Sequence, residues 1–571
     1  MIGSGPKNGV RSGNSGIPTS LQQMDQFLKR VSSRRLRQIV ISVVCLLAAA
    51  ALATLILRPT PPPAPGPSAD ETGSVTAQTA AMPSQGWFPL TVNFSGYASH
   101  STDGKIVSYE WDIDGNGVPD ISTGEEGGYA VYTFGKPGTY PVTLTVRDDR
   151  GRTSQQQVLI TVWHPSQNAL DYSTVFDDER VGRIDITLAE ADWQKLWSAP
   201  EEKYEAPADA VVFGEPLNDV GLRMRGQFSL RESRDKKPWR IDTDTYIAGQ
   251  EFHNLRALLL LNNIGDPTLL KEKLAYELMY FAGVPASHSA FVELWFDLSD
   301  DEEAPFFWGV YSMVERVDKK YLMTRFGRYS KTGNLYKASH AERGPMDLVY
   351  YGESIEDYPT TNGLYAYGKE TNIDEADYSD IIELARVLDE TYATPEDFCE
   401  ALEAVINVDG FLRYMSVITA LASRDSYPNT GNNYYLFENP LSGRFEWIPW
   451  DLTWDPNPTA PVFQTEGPRL VPSAPLYDKV MQVEEYRRQY AAYLDLLLRN
   501  RFNYEHIHAR AGHLHELIAP SVAHGDRLFF GQNVAAPPEL FEEWEALSEF
   551  ARERNAYIRS VLDDEMAGSP L

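Results

Sequence analysis

The spacing of hydrophobic and polar positions divides the chain into stretches of different character. Ile39 to Leu57 (IVISVVCLLAAAALATLIL) is nineteen consecutive residues without a charge, long enough to cross a ~30 Å hydrocarbon core as a helix. Thr60 to Ser68 (TPPPAPGPS) is a stiff proline-rich spacer, extended by a polar run to Ser84. Apolar and polar residues then alternate in short runs, LTVNFSGY, KIVSYEWDID, YAVYTF, YPVTLTVRD and SQQQVLITVW, separated by Gly, Pro and Asp turns. That spacing predicts a β-sandwich over residues 85–163. From Ser173 the pattern turns to mixed α and β. GRIDITLAEADWQKLW reads as a strand running into a helix, and ADAVVFG and VGLRMRGQF read as strands. Asp266-Pro267 opens a helix, LLKEKLAYELMYFAGV, which Gly283 closes. FVELWF and FWGVYSMVERV are strands, and residues 343–377 form a polar, Tyr- and Gly-rich surface excursion. YSDIIELARVLDE, PEDFCEALEAVI and NVDGFLRYMSVITALAS have the 3.6-residue period of helices, and further helices over 474–500, 504–518 and 539–564 complete a C-terminal helical lobe.

Charge orients this plan. Lys29, Arg30, Arg34, Arg35 and Arg37 precede the apolar stretch and Arg58 alone follows it. Basic residues stay on the cytoplasmic side, so residues 1–38 are expected inside, 39–57 across the membrane as a single-pass anchor, and the remainder outside the cell membrane. A cleaved signal peptide is the competing reading, against which stand the long apolar stretch and the 38 residues before it. The tail carries a net +6 out of a whole-chain charge of −30, which leaves −36 on the rest. So acidic an external portion is unsuited to nucleic acid and suits solubility or cationic partners.

The stretch SRDSYPNTGNNYYLFENPLSGRFEWIPWDLTWD holds the most concentrated chemistry. Asn432-Asn433 and the alternating YYLF open a strand, residues 440–443 turn, and Arg444 to Trp450 return, so the hairpin carries Asn433 and Asp451 to one end. Asp425 follows the end of the last helix. This is a phosphoryl-transfer layout, in which one Asp orients the attacking hydroxyl and a second, with an amide, holds the metal bridging the nucleotide phosphates. Asp455 is a further candidate metal ligand. In the sandwich, Asp112, Asp114, Asn116 and Asp120 crowd oxygens into a Gly-rich loop suited to Ca²⁺, or to Asx-turns alone, because no Glu stands at the twelfth position of an EF-hand.

Two resemblances rest on these blocks. SYEWDIDGNGVPD, YTFGKPGTYPVTLTVRDDRG and ITVW resemble a PKD domain, an immunoglobulin-like β-sandwich. SRDSYPNTGNNYYLF and FEWIPWDLTWD, with GLRMRGQFSL, KKPWRID, EFHNLRALLLLNN, DPTLLKEKLAYELMYFAGVP and FWGVYSMVERVDKKYL upstream, resemble the spore-coat protein H (CotH) kinase family over residues 183–526. The second resemblance implies an atypical protein-kinase fold for 173–571, with Asp425 catalytic and Asp451 and Asn433 on Mg²⁺ or Mn²⁺. In kinase-like folds a short loop covers the nucleotide, a neighbouring strand supplies a Lys to the phosphates and a helix supplies its partner Glu. Those positions are expected at Arg225 to Ser229, at Lys237 (Lys236 facing away) and at Glu272 or Glu277, with Glu272 preferred. The hinge against which adenine rests is expected at Glu315, Arg316 and Val317. HRD and DFG are absent, so these roles follow the atypical family alone.

Two functions follow from this plan. One is a membrane-anchored extracytoplasmic kinase that uses ATP to phosphorylate secreted or envelope proteins. The other is a catalytically silent surface adhesion or assembly protein that binds through the same folds.

Overall fold

The computed structural model describes residues 73–124, 127–164, 173–233, 235–299, 304–463, 469, 471, 473–525 and 541–566. The expected cytoplasmic tail, membrane helix and proline-rich spacer lie outside them. Among the described residues no helix is long and apolar enough to cross a membrane.

The first layer pair is an all-β sandwich. Ala80–Met82, Leu90–Ser95 and Ala130–Phe134 form one sheet; Gln85–Trp87, Thr153–Trp163, Gly138–Asp148, Ile106–Asp112 and Ile121–Thr123, in that spatial order, form the other. Alternation explains the core: Val142, Leu144 and Val146 point inward with no exposed surface, against Val92, Phe94 and Trp111. The Trp111 indole N–H finds the Gly128 carbonyl at 3.0 Å. The sandwich starts earlier than the expected boundary at 85, because Val75–Thr76 and Ala80–Met82, inside the stretch read as linker, are paired strands. Small apolar residues, AAM, let that strand lie buried on both faces.

The larger α+β domain begins with a closed seven-stranded barrel. Gly182–Leu188, Ala206–Val212, Glu215–Met224, Trp239–Asp242, Ala257–Leu261, Phe306–Val314 and Ser289–Leu298 follow one another around it. Parallel pairing of the last strand with the first closes the ring. Trp193, Trp197, Trp239, Phe296 and Trp308 plug one end of this barrel, with ring centroids 4.8 to 6.4 Å apart.

Helix α1 (Lys271–Ala282) leaves the barrel and packs on the helical lobe through Leu274, Ala275, Leu278 and Met279. It starts four residues later than the Asp266-Pro267 signal suggests. The Asp266 carboxylate accepts N–H bonds from Thr268 (3.1 Å) and Lys271 (2.9 Å), so Pro267 lies in a turn before the helix and not inside its first turn. Gly283 closes α1 at φ 78°, as expected.

A four-stranded sheet, ordered Gly368–Lys369, Leu335–Lys337, Tyr434–Asn439, Arg444–Pro449, sits against helix α2 (Val408–Ala420). The stretch 343–377 is not a surface excursion. It supplies the edge strand of this sheet and buries Met346, Leu348, Tyr358, Ala366 and Tyr367, because its tyrosines pack as apolar rings. The Asp347 carboxylate accepts the Tyr351 and Tyr367 hydroxyls. The helix expected over 474–500 is two, Pro475–Val480 and Glu484–Asn500.

Candidate active site

Helix α2 ends at Ala420, and a loop to Asn433 returns the chain to the hairpin. Asp425 stands exposed in that loop. The Asn433 amide nitrogen donates to the Asp425 carboxylate and to its main-chain carbonyl, both at 2.9 Å. The Asp455 carboxylate braces the same loop by accepting the Arg424 N–H at 2.6 Å. The hairpin register, Tyr434 opposite Pro449, sets Asn433 and Asp451 at one end, and the Trp450 N–H bonds the Asn433 carbonyl at 3.2 Å. Both are left-handed, Asn433 at φ 61° and Asp451 at φ 51°. Asn and Asp tolerate this conformation better than other residues with a Cβ.

These groups line a cleft of about 460 Å³. Its walls are the loop Arg225 to Ser229, the turn Leu261 to Asp266, the first turn of α1 with Lys271 and Glu272, residues Lys337 to Ala341, the Asn432–Asn433 pair, and Trp450 to Asp455. The Arg225 loop enters a short helix, Phe228–Glu232, and not the expected second strand. Gly226 at φ 87° makes the bend, where a Cβ would meet the Ser229 hydroxyl at 2.5 Å.

Negative charge is in excess here. Protein crowding raises the Asp451 carboxyl above its ordinary value, Asp425 adds to the rise, and Arg225 and Lys337 oppose it. Asp451 nonetheless faces the open cleft, where water and ligands reach it. Burial pushes the Glu272 carboxyl well up, with Asp451 adding and Arg225 opposing. Its Oε1 is buried without a hydrogen-bond partner. Burial pulls the Lys337 ammonium down while Glu370 holds it up, and its Nζ lies 5.6 and 5.8 Å from the Tyr435 and Trp450 ring centroids. Burial likewise lowers Arg225, against Asp451. Oxygen donors in excess, one of them orphaned, are a donor set that fits a hard divalent cation.

Of the residues expected from sequence, the structure gathers Asp425, Asn433, Asp451, Arg225 and Glu272 in this cleft. It places Lys237, Glu315, Val317 and Glu277 elsewhere. Lys237 turns back into the protein, where its ammonium donates to the Leu230 carbonyl at 2.7 Å and to that of Ser233, ending the Phe228–Glu232 helix. The expected strand begins only at Trp239, so the alternation that aimed Lys237 does not extend to it. Glu315 is buried against Arg325 (2.6 Å), with its own N–H on the His288 carbonyl at 2.8 Å. Val317 packs in the core. Neither lines the cleft. Glu277 sits away from the cleft, on Arg510 and Lys273. Sequence reasoning missed Lys337, for which a lone Lys at the end of the short apolar run NLYK is the only local signal.

In the sandwich, Asp112, Asp114 and Asp120 bring carboxylate oxygens within 4.8 Å of one another. The Asn116 side-chain oxygen instead accepts the Val118 N–H at 2.7 Å, and Asp112 accepts the N–H groups of Gly115, Asn116 and Gly117.

A β-sandwich followed by an α+β domain with an acidic, oxygen-rich cleft between a barrel and a helical lobe is the class that fold and site define. The profile of the CotH kinase protein family matches residues 222–558, and that of the PKD domain matches 76–162. The chain therefore belongs to the CotH kinase protein family and carries a PKD domain ahead of the family domain. It is 24% identical over 329 residues to the inner spore coat protein H of Bacillus subtilis, covering 55% of this chain and 81% of that protein. Over 100 residues it is 43% identical to the pre-pro-metalloprotease PrtV of Vibrio cholerae, which is 18% of this chain and 9% of the metalloprotease. The crystal structure of the PKD1 domain of PrtV aligns at 30% identity over 16% of this chain and 96% of that one, with a TM-score of 0.13.

Proposed function

We propose that this protein is a phosphotransferase of the atypical protein-kinase kind, anchored by residues 39–57, that moves the ATP γ-phosphate to hydroxyls of secreted, envelope or coat proteins. The convergence of Asp425, Asn433 and Asp451 on a cleft that also holds Arg225 and Lys337 carries this reading. The nucleotide phosphates lie against Arg225 and Lys337, whose cations, poorly solvated in the cleft, gain most from an anion. Asp451 and the Asn433 side-chain oxygen would hold Mg²⁺ or Mn²⁺, which would supply neutralisation of the charge developing on the phosphoryl oxygens. Asp425 orients the acceptor hydroxyl and takes its proton, and the Asn433 N–H keeps that carboxylate aimed. Glu272, at the start of α1, adds negative charge near Arg225. Lys337 replaces Lys237 in the phosphate role. The test is incubation of the purified external portion with labelled ATP, Mg²⁺ or Mn²⁺ and protein acceptors. Transfer that Asp425→Asn removes supports the proposal; absence of both transfer and nucleotide binding leaves the adhesion reading.

A further inference from the structure

The PKD sandwich reads from sequence as a spacer or adhesive module, yet its strand Ala80–Met82 is built into the α+β domain. In Ala80–Met82, Ala81 points into the sandwich core, while Ala80 and Met82 point the other way and pack in the core of the α+β domain, and none has exposed surface. Polar bonds flank the strand. The Gln78 amide donates to the Glu485 carbonyl at 2.8 Å, and the Gln489 amide donates to the Thr79 carbonyl at 3.0 Å. At another point the Tyr129 hydroxyl donates to Asp495 at 2.6 Å.

Arg413 joins this strand to the active-site frame. It lies on α2, is 2% exposed, and donates from one nitrogen to the Ala81 carbonyl at 2.6 Å and the Ala282 carbonyl at 3.1 Å. Its other nitrogens bond Asp409 at 2.7 Å and the Tyr493 hydroxyl at 2.8 Å. Ala282 is the last residue of α1, and a Cβ on the following Gly283 would stand 3.3 Å from the Ser84 nitrogen, so sandwich backbone lies directly on that helix end. One guanidinium thus ties the sandwich to the C-terminus of the helix whose first turn carries Glu272, and to the helix that leads to Asp425. Twelve residues of α1 span about 18 Å as a rigid rod, so a shift at Ala282 is passed to Glu272.

We infer that the PKD sandwich is a positioning element of the active site, with Arg413 as the positioning residue that registers α1 and α2 against the Ala80–Met82 strand. Burial of this charge supports the assignment, because a desolvated guanidinium with several matched acceptors holds one geometry and loses much if any acceptor moves away. The catalytic consequence rests on the phosphotransfer reading, whereas the mechanical link does not.

The experiment compares the full chain with Arg413→Gln, Arg413→Lys, Gly283→Ala and Tyr129→Phe. Amide exchange is followed in the first turns of α1 (residues 271–276) and in the barrel strand Phe306–Val314, and phosphotransfer kinetics are measured in parallel. Arg413→Gln and Gly283→Ala are expected to speed exchange over 271–276 with the barrel strand unchanged. They should also cut kcat by roughly 2- to 30-fold with KM for ATP nearly constant, the range for coupling through packed elements. Arg413→Lys should restore part of kcat, and Tyr129→Phe, which loosens the sandwich away from α1, should leave both readouts alone. Should Arg413→Gln fail to fold, Gly283→Ala decides. Unchanged exchange over 271–276, or faster exchange everywhere alike, overturns the inference. A parent protein without phosphotransfer overturns the proposed function instead and leaves exchange to decide the link.

Discussion

Helix α1 carries two glutamates little more than a turn apart, and their surroundings are opposite. Glu277 bonds Arg510 in bidentate fashion at 2.7 and 2.9 Å and lies 3.4 Å from Lys273. Although burial acts to raise it, Arg510 and Lys273 hold its carboxyl below the ordinary value. Asp178 joins the same network and balances its charge. Burial pushes Glu272 well up, with Asp451 adding to the rise and Arg225 opposing it. A balanced set of charges is already satisfied by the fold, whereas an unbalanced set holds free energy that a bound cation can release. The difference separates an acid that stabilises structure from one available for chemistry.

The comparison breaks first at the acids of the cleft. Asp451→Asn is expected to abolish metal-dependent nucleotide binding and turnover together, because a neutral amide cannot offset a divalent charge. Asp425→Asn should keep nucleotide and metal binding and lower transfer by about 10² to 10⁴. Calorimetry with and without Mg²⁺, alongside single-turnover transfer, distinguishes the two. Equal loss of nucleotide in both variants would make Asp425 a metal ligand as well.

Two lysines, Lys337 and Lys237, sharpen it next. Lys337→Ala should weaken ATP binding by about 1.5 to 3 kcal/mol, the scale of a charge-assisted hydrogen bond. Lys237→Ala should leave ATP affinity unchanged and destabilise the fold by about 1 to 3 kcal/mol, since the Leu230 and Ser233 carbonyls lose their donor. Denaturant midpoints and calorimetry read the two effects, and a loss of ATP affinity in Lys237→Ala would reverse their assignments.

The two glutamates predict opposite pH behaviour in metal-free protein. Glu272 has a folded pKa above its ordinary 4.5, so between those values the folded state keeps a proton that the unfolded chain has lost. Stability therefore falls as pH rises through that window. Glu272→Gln should raise Tm above the window and change little at about pH 4. Glu277 has a folded pKa below 4.5, so its contribution is present above 4.5 and is lost as pH falls through the folded value. Glu277→Gln should lower Tm at neutral pH, with a cost of about 1 to 3 kcal/mol for the donors left on Arg510. Tm shifts of equal sign at pH 8 would remove the distinction.

The smallest effect is expected in the sandwich, where backbone N–H groups already share the charge of Asp112. Calcium at about ten times its Kd would add about 1.4 kcal/mol. A Ca²⁺-dependent rise in Tm that Asp120→Asn removes is the expected result, and a Tm indifferent to EGTA leaves the loop a set of Asx-turns.

Local pattern alone determined a good deal. The alternation in YPVTLTVRD and YYLF, the turn at 440–443 and the 3.6-residue period of α2 are set by neighbours a few residues apart, and so the hairpin that brings Asn433 to Asp451 was legible, as was Asp425 at the exit of α2. Tertiary structure alone decided which lysine enters the cleft. Lys337 arrives because its strand pairs with the hairpin in the register Lys337 opposite Tyr435, a long-range pairing that no local spacing encodes. Lys237 is lost because Pro238 and a late strand start turn it onto helix carbonyls. The hinge at Glu315 failed for a related reason, since its charge found a buried partner in Arg325 and its backbone a partner in His288. The boundary of the sandwich was hidden too, because Ala80–Met82 is too short and too small to read as a strand, and only its burial between two cores makes it one.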